Sequence, residues 1–312
     1  MAERLVIPAI KASGVFELAA IASRNMEKAQ AWTSRFGGEP LGSYEALVEH
    51  PGIEALYIPL PTGLHAEWAA RALRAGKHVI VEKSLASNLS EVTALVELAR
   101  QHDRALWENF MFEHHSQMKF IRGKIEDGTI GELRCIRASF GFPPFSDPGN
   151  IRYDKALGGG ALLDSGAYTV KISQLLMGPG LEVKAASLVY PSGAAVDIYG
   201  GAFLCRPDGL FSELAFGFDN YYQCSLEVWG SKGKLTAERV FTAAPGFQPR
   251  VIIEKQNERQ EYTLPADNHF VNILRVFHEA IASGQFAANY EKLMEQATLL
   301  QKIYDHAHQG KN

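Results

Sequence analysis

Short apolar runs alternate with amphipathic helical patterns from residue 18 to residue 108, and this alternation restricts the possible folds more than any other feature. The predicted strands lie at residues 18–22, 55–58, 78–81 and 105–108. The predicted helices lie at residues 26–36, 65–75 and 89–102. Short buried strands separated by helices are typical of a parallel, doubly wound α/β sheet.

The pattern changes after residue 109, and we place the domain boundary there, giving ranges 1–109 and 110–312. Helices are predicted at residues 114–127, 161–177, 269–282 and 290–308. Residues 133–140 and most of residues 181–264 have strand patterns, and Gly230-Ser-Lys-Gly233 predicts a hairpin turn. Successive strands after an α/β domain predict an α+β second domain with a mainly antiparallel sheet.

Composition excludes several classes of function. The 312 residues carry a net charge of −4 with no basic stripe, so no nucleic-acid partner is expected. The three cysteines are far apart in the sequence, which predicts neither a disulfide framework nor a metal site and favours a cytoplasmic location. The mixed charge of residues 1–4 and the short apolar run after them predict no signal peptide, and no apolar run is long enough to predict a membrane span.

Two segments lie where predicted strands end, which is where open α/β sheets bind ligands. Glu82 and Lys83 follow the strand at residues 78–81, and Lys83 is either a ligand contact or a surface lysine that begins a loop. Asn109 follows the strand at residues 105–108 and is a candidate ligand contact. His114 and His115 are adjacent and would point in different directions on a helix, so they are a poor metal pair.

Further candidates follow the other two strands. Ser23 and Arg24 come after the first strand, and an arginine at this place favours the extra phosphate of NADP, although Arg24 could equally be a solvated charge. The segment from Pro59 and Leu60 to His65 contains two prolines that fix a loop across the sheet edge. His65 could cap a helix or reach a cofactor.

A glycine triplet, residues 158–160, precedes Asp164 and Tyr168. Glycines let another backbone or a ligand approach closely, and a helical segment would place Asp164 and Tyr168 on one face. The alternative is a loop-to-helix entry with a half-buried tyrosine. Arg152, upstream, could pair with a substrate phosphate or with a local carboxylate.

Taken in order, the segments Pro61-Thr-Gly-Leu-His65, Ala75 to Lys83, and Gly158 to Tyr168 resemble the Gfo/Idh/MocA family of nicotinamide-dependent oxidoreductases, over nearly the whole chain. Within that family, Glu108 to Gln117 and Ile151-Arg-Tyr153 look most like the NDP-sugar 3-ketoreductases. Dihydrodiol and aldose dehydrogenases, which also have tyrosine at this place, remain alternatives.

The resemblance implies a Rossmann-like dinucleotide-binding domain followed by a substrate-binding and oligomerisation domain. It implies interconversion of a ketone and a secondary alcohol on a sugar or sugar nucleotide, with NADP(H) preferred, NAD(H) possible and no metal. It also implies a homodimer or homotetramer. Residues Phe216, Phe218, Tyr222 and Trp229 could serve a self-association face or equally belong to the core.

The resemblance also implies roles for individual residues. Lys83 would contact the nicotinamide ribose and the substrate oxygen, and Tyr168 would donate a proton to the carbonyl. The expected cofactor contacts are Ser23, Arg24, Pro59, Leu60, His65, Glu82 and Lys83. The expected substrate contacts are Asn109, Arg152 and Asp164. A free tyrosine has a pKa of about 10, and a nearby ammonium lowers it, so the pair could pass a proton to the developing oxyanion.

The chain departs from the family pattern at two places. Ser84 stands where the family usually has proline after the lysine, which loosens a turn without changing the chemistry. The first residues look like the helix that follows the family's first strand and glycine-rich turn, so that strand and turn are expected to be absent. We expect a start codon assigned too late rather than a natural deletion. Loss of the glycine-rich turn also leaves an alternative function open, that of a non-catalytic relic or a sugar- or cofactor-sensing protein.

Overall fold

The computed structural model describes residues 1–309. Contacts between backbone positions divide the chain into two units. The first unit contains residues 1–86, 90–109 and 270–294; the second contains residues 87–89, 110–269 and the described residues from 295 onward. The predicted domains, residues 1–109 and 110–312, meet at a single boundary, whereas each of these units is made of several segments. The domain ranges therefore stay a prediction.

The first unit begins with a helical segment, a π turn at Ala2–Val6 that continues as an α-helix, and strands then alternate with helices. Its strands are β1 (Ala20–Ala22), β2 (Glu39–Leu41), β3 (Ala55–Ile58), β4 (His78–Val81) and β5 (Leu106–Glu108). Its helices up to this point are α1 (Ile7–Ser13), α2 (Met26–Phe36), α3 (Tyr44–Glu49), α4 (Thr62–Arg74) and α5 (Leu89–Gln101).

All strand pairs of the first unit are parallel, as predicted from the alternation. β1 pairs with β2, and β4 lies between β3 and β5 in a separate sheet. Among residues 1–309 no strand pairs with both β1 and β3. Local chemistry sets the helix ends: the Asn25 side chain accepts a hydrogen bond from Lys28 N at the start of α2, and Gly37, with a φ of 85°, follows its end.

The second unit contains an eight-stranded sheet, and this confirms the prediction of a mainly antiparallel second domain. Its elements follow in chain order: α6 (Ser116–Glu126), β6 (Leu133–Gly141), α7 (Ala167–Met177), β7 (Glu182–Val189), β8 (Tyr199–Cys205), β9 (Phe211–Gly217), β10 (Gln223–Gly230), β11 (Gly233–Glu238), β12 (Arg250–Lys255) and β13 (Glu258–Thr263). The sheet order is β13-β12-β11-β10-β6-β9-β8-β7, and only β6 and β9 pair in parallel.

Helix α7 packs on one face of this sheet, against β6 and β9. Alternate side chains of β6 and β9 are buried on that face, including Phe140, Leu214 and Phe216. The helix predicted for residues 161–177 begins as a π turn at Leu162–Gly166 before α7. The four-residue spacing between Asp164 and Tyr168 therefore crosses a change of helix type, and the argument from α-helical spacing does not apply to it.

The chain closes with α8 (His269–Ser283) and α9 (Ala287–His308). No helix in the described part of the chain combines the length and the hydrophobicity needed to cross a bilayer.

Candidate active-site residues

The Glu82 carboxylate links the carboxyl ends of three parallel strands. Its Oε1 accepts a hydrogen bond from the Tyr57 hydroxyl of β3 at 2.6 Å and one from Asn109 Nδ2, just after β5, also at 2.6 Å. Its own backbone N–H donates to Ile58 O at 3.0 Å. Hydrogen bonds to an ionised acceptor are stronger than neutral ones, so this network fixes the backbone immediately before Lys83.

A second carboxylate fixes the backbone on the other side of Lys83. Glu108, only 8% exposed at the end of β5, accepts a hydrogen bond from Leu85 N at 2.9 Å through Oε1. The peptide bond between Lys83 and Ser84 is cis. The half-buried Lys83 side chain therefore extends from a short segment that is held on both sides.

His65 joins the loop after β3 to the loop after β4. Its Nδ1 lies 2.8 Å from Ser84 O and its Nε2 lies 2.7 Å from Leu60 O, and the residue is 1% exposed. Burial lowers the pKa of His65; the two carbonyls oppose this shift, and the charge of Lys83 adds to it. A neutral ring donates to one of the two carbonyls. His65 thus shapes both loops, and its role as a cofactor contact stays a prediction.

The other predicted cofactor residues lie at the carboxyl ends of β1 and β3. Ser23 donates its N–H to Leu41 O at 3.0 Å and accepts from Asn25 N at 3.1 Å through its hydroxyl. The next residue, Arg24, is exposed. Pro59 is exposed and Leu60 half-buried directly after β3. All lie at strand ends where open α/β sheets bind ligands.

In the second unit, Tyr168 is enclosed by aromatic rings. The residue is 4% exposed, and its hydroxyl oxygen lies 4.0 Å from the sulfur of Met111. Four ring centroids lie 5.2–5.7 Å from the Tyr168 ring: Phe110, Phe112, Phe140 and Phe241. Edge-to-face and tilted packing of this kind fixes the ring orientation.

Two predicted substrate residues form an ion pair in the same unit. Arg152 Nε lies 2.6 Å from Asp164 Oδ2, with side-chain exposures of 37% and 15%. The Arg152 guanidinium also lies over the ring of Phe145, 4.8 Å from its centroid. The local carboxylate considered as the alternative partner of Arg152 is therefore Asp164, and the pair presents both charges at a partly exposed position.

Two glycines of the triplet, Gly159 and Gly160, lie against protein atoms. A Cβ on Gly159 would meet Arg152 O at 2.4 Å, and one on Gly160, whose φ is +118°, would meet Asp197 Oδ1 at 2.4 Å. Asp197 is buried and accepts a hydrogen bond from Leu162 N at 2.7 Å through Oδ2. Burial raises the pKa of Asp197, although backbone N–H donors act against this shift.

Sequence reasoning overlooked a largely buried ion pair near Tyr168. Lys171 Nζ lies 3.4 Å from Glu113 Oε1, and the side chains are 10% and 18% exposed. The available signal was Lys171 itself, which is the only charged residue of α7. Asp197 and Tyr57 were also overlooked, because nothing in their local sequence marks them as partners of Gly160 and Glu82.

The structure thus brings the predicted residues together in two groups. Glu82 and Asn109 are hydrogen-bonded in the first unit, and Arg152 and Asp164 are paired in the second. Lys83 belongs to the first unit and Tyr168 to the second, so their pairing stays a prediction. Among residues 1–309 there is no group of three or more His, Cys, Asp or Glu side chains that could hold a metal ion.

Two family models match the chain. Residues 1–110 match the model of the oxidoreductase family with an NAD-binding Rossmann fold, Gfo/Idh/MocA. Residues 118–236 match the model of the Gfo/Idh/MocA C-terminal domain.

Individual proteins match over nearly the full length. The dTDP-3,4-didehydro-2,6-dideoxy-alpha-D-glucose 3-reductase of Actinomadura kijaniata is 40% identical over 97% of this chain and 91% of its own. The protein of the same name from Streptomyces violaceoruber is 37% identical over 99% and 93%. A crystal structure of KijD10, a 3-ketoreductase from Actinomadura kijaniata in complex with NADP and TDP-benzene, superimposes with a TM-score of 0.94 at 40% identity, covering 98% of this chain and 94% of that one. The chain belongs to the Gfo/Idh/MocA family of oxidoreductases.

Proposed function

We propose that this protein is an NADPH-dependent ketoreductase that interconverts a ketone and a secondary alcohol on a sugar nucleotide. The observation that carries the proposal is the near-complete alignment with two proteins named as dTDP-sugar 3-reductases, at 40% and 37% identity. The retention of Lys83, Asp164 and Tyr168 in the expected order supports it.

In this proposal Tyr168 is the acid. A bound nicotinamide supplies the hydride, and the protein supplies the proton and the orientation. The aromatic rings around Tyr168 hold the phenol in one orientation, so that its hydroxyl can donate a proton to the substrate oxygen. Lys83 stabilises the charge that develops on that oxygen.

Substrate binding is assigned to Asn109, Arg152 and Asp164. Arg152 already pairs with Asp164, and a guanidinium has five N–H donors, so one arginine can serve this carboxylate and a substrate phosphate together. Asn109 donates to Glu82 from one side-chain nitrogen and has a second N–H on the same atom.

The residues at the strand ends of the first unit suit a nicotinamide dinucleotide. Arg24 is an exposed cation next to β1, where it would meet the 2′-phosphate of NADP, and we therefore assign NADPH as the preferred cofactor, with NADH as the alternative. Ser23, Pro59, Leu60, His65, Glu82 and Lys83 complete the proposed contact set. The family's glycine-rich pyrophosphate turn is not found within residues 1–309.

We further propose a cytoplasmic homodimer or homotetramer. The cysteines Cys135, Cys205 and Cys224 are few and far apart in the sequence, a pattern that favours a reducing compartment. Two of the aromatic residues considered for self-association, Trp229 and Tyr222, are 48% and 36% exposed. The other two, Phe216 and Phe218, are core residues at 3% and 0%.

The test is NADPH oxidation in the presence of a dTDP-linked 3-ketosugar. Tyr168→Phe should lower kcat about 10²- to 10⁴-fold, the usual contribution of a general acid, with unchanged NADPH binding. Tyr221→Phe, at a tyrosine that is 93% exposed, is the matched control and should keep the parent rate. A full rate in Tyr168→Phe would contradict the assignment. Binding of the sugar nucleotide without any turnover would favour a non-catalytic sensing function.

A further inference from the structure

Lys171 is buried one helical turn after Tyr168. It is 8% exposed and is the only charged residue in α7, whose other buried side chains are apolar or hydroxylic apart from Tyr168. Residues three apart on a helix are neighbours on its surface, so Lys171 lies beside Tyr168. Its ammonium reaches Glu113, in the short helical turn Met111–His114 that follows β5.

The stability of the fold does not explain this ion pair. Removing two charges from water costs several kcal/mol per ion, and the attraction within a buried pair often only offsets that cost. Well-packed apolar side chains at the same two positions would usually hold a helix to its neighbour equally well. The charges of Lys171 and Glu113 therefore suggest a role besides joining α7 to the turn.

The surroundings of the pair indicate that role. Lys171 Nζ lies 5.5 Å from the centroid of the Phe110 ring, and the same ring lies edge-to-face with Tyr168 at 5.4 Å. The turn that carries Glu113 also supplies Met111 and Phe112, which contact the Tyr168 hydroxyl and ring. Both elements that form the ion pair thus also form the enclosure of Tyr168.

We propose that Lys171 and Glu113 are a positioning pair that sets the orientation and the proton affinity of the Tyr168 phenol. The inference rests on the proposed function of Tyr168 as the acid. In surroundings of low dielectric a nearby charge acts strongly on an ionisable group. The ammonium favours the phenolate and the carboxylate favours the phenol, so the balance of the two tunes the acid, and the pair also holds the Phe110 ring against it.

Other groups also surround Tyr168 within its unit. The rings of Phe112, Phe140 and Phe241 are uncharged. Other titratable groups on the elements packed against Tyr168 within its unit are Asp164 with its partner Arg152, His114 and His115 of the turn, and Cys224 beside Phe241. None of these changes in the variants below, so shifts in the titration of Tyr168 report on the pair.

The experiment compares Lys171→Met, Glu113→Gln and the double variant with the parent. The pKa of Tyr168 is measured by NMR from the ring ¹³C resonance that disappears in Tyr168→Phe, and independently from the alkaline limb of kcat/KM for ketone reduction. Loss of the ammonium should raise the Tyr168 pKa by about one unit, and loss of the carboxylate should lower it similarly. The double variant should return close to the parent value.

Two further variants separate electrostatics from structure. Lys171→Arg keeps the charge and should retain the parent profile, whereas Lys124→Met, which removes a half-buried lysine paired with Asp127, should change nothing. The proposal is wrong if the Tyr168 pKa shifts in the same direction in Lys171→Met and Glu113→Gln. It is also wrong if these variants lose activity while the Tyr168 titration curve, followed up to pH 11, matches that of the parent. If the protein reduces no ketone, the proposed function fails, but the NMR titration still decides the inference.

Discussion

The Tyr57–Glu82 hydrogen bond should contribute measurably to the stability of the first unit. Its O···O distance is 2.6 Å and its acceptor is ionised, and such bonds contribute about 1.5–3 kcal/mol when fully buried. Glu82 is half-buried, so solvent reduces the contribution, and we expect a coupling of about 1 kcal/mol. Glu82→Gln retains an oxygen that can accept from both Tyr57 and Asn109, so this change isolates the charge.

The assay is a double-mutant cycle of urea unfolding with Glu82→Gln, Tyr57→Phe and the combination. Three of the four tryptophans, Trp32, Trp68 and Trp107, belong to the first unit, so fluorescence reports its unfolding. Each single variant should lower the free energy of unfolding by about 1 kcal/mol, with the double variant clearly less than additive.

Tyr221→Phe combined with Glu82→Gln provides the control, because Tyr221 is exposed and belongs to the second unit. That pair should be additive within about 0.3–0.5 kcal/mol. If Tyr57→Phe and Glu82→Gln are additive to the same degree, the reasoning is wrong, and the charge of Glu82 does not strengthen the link between β3 and β4.

Three other outcomes follow from the second unit. Gly160→Ala should destabilise the protein by about 2 kcal/mol more than Gly180→Ala, measured by urea unfolding, because both have positive φ but only Gly160 lies against Asp197. Burial lowers the pKa of His269 to about 3, so below pH 6.5 the unfolded chain takes up a proton that the folded protein does not. The free energy of unfolding should therefore decline from pH 6.5 toward pH 3, by at most about 1.4 kcal/mol per pH unit. In His269→Gln the decline, measured by thermal unfolding, should be shallower. In steady-state kinetics, Arg152→Lys should raise KM for the sugar nucleotide about tenfold with a smaller change in kcat, since lysine cannot serve Asp164 and a phosphate together; an unchanged KM would remove Arg152 from the substrate site.

The parts of the fold that the sequence predicted correctly are those with local signals. The strands β3 and β4 have their predicted bounds because short runs with β-branched or aromatic residues end at Pro59 and Glu82. Helix α2 has its predicted bounds because it lies between an Asn25 cap and Gly37. Strand β2 was not predicted: it is three residues long, contains Pro40 and exists because it pairs with β1.

The order of the predicted elements could identify only those candidate site residues that directly follow a predicted strand. Residues at strand ends, such as Glu82 and Asn109, could be identified from the order of the elements. Their partners could not, because pairing of side chains from distant segments depends on packing. Lys171 and Glu113 are far apart in sequence, and neither has a neighbour that predicts the other.

Strand β6 has implications for how the second unit folds. It pairs with β9 and β10, and cross-strand ion pairs of Arg137 join positions 76 and 90 residues apart. The strands β7–β9 and β10–β13 form two antiparallel meanders whose neighbours follow one another directly, so each can assemble locally during synthesis. Strand β6 is synthesised before both meanders, and its two neighbours in the sheet, β9 and β10, are synthesised later. Until they are present, both edges of β6 can pair with the wrong strand. We therefore expect insertion of β6 between the two meanders to be the slow, chaperone-sensitive step in the biogenesis of this enzyme.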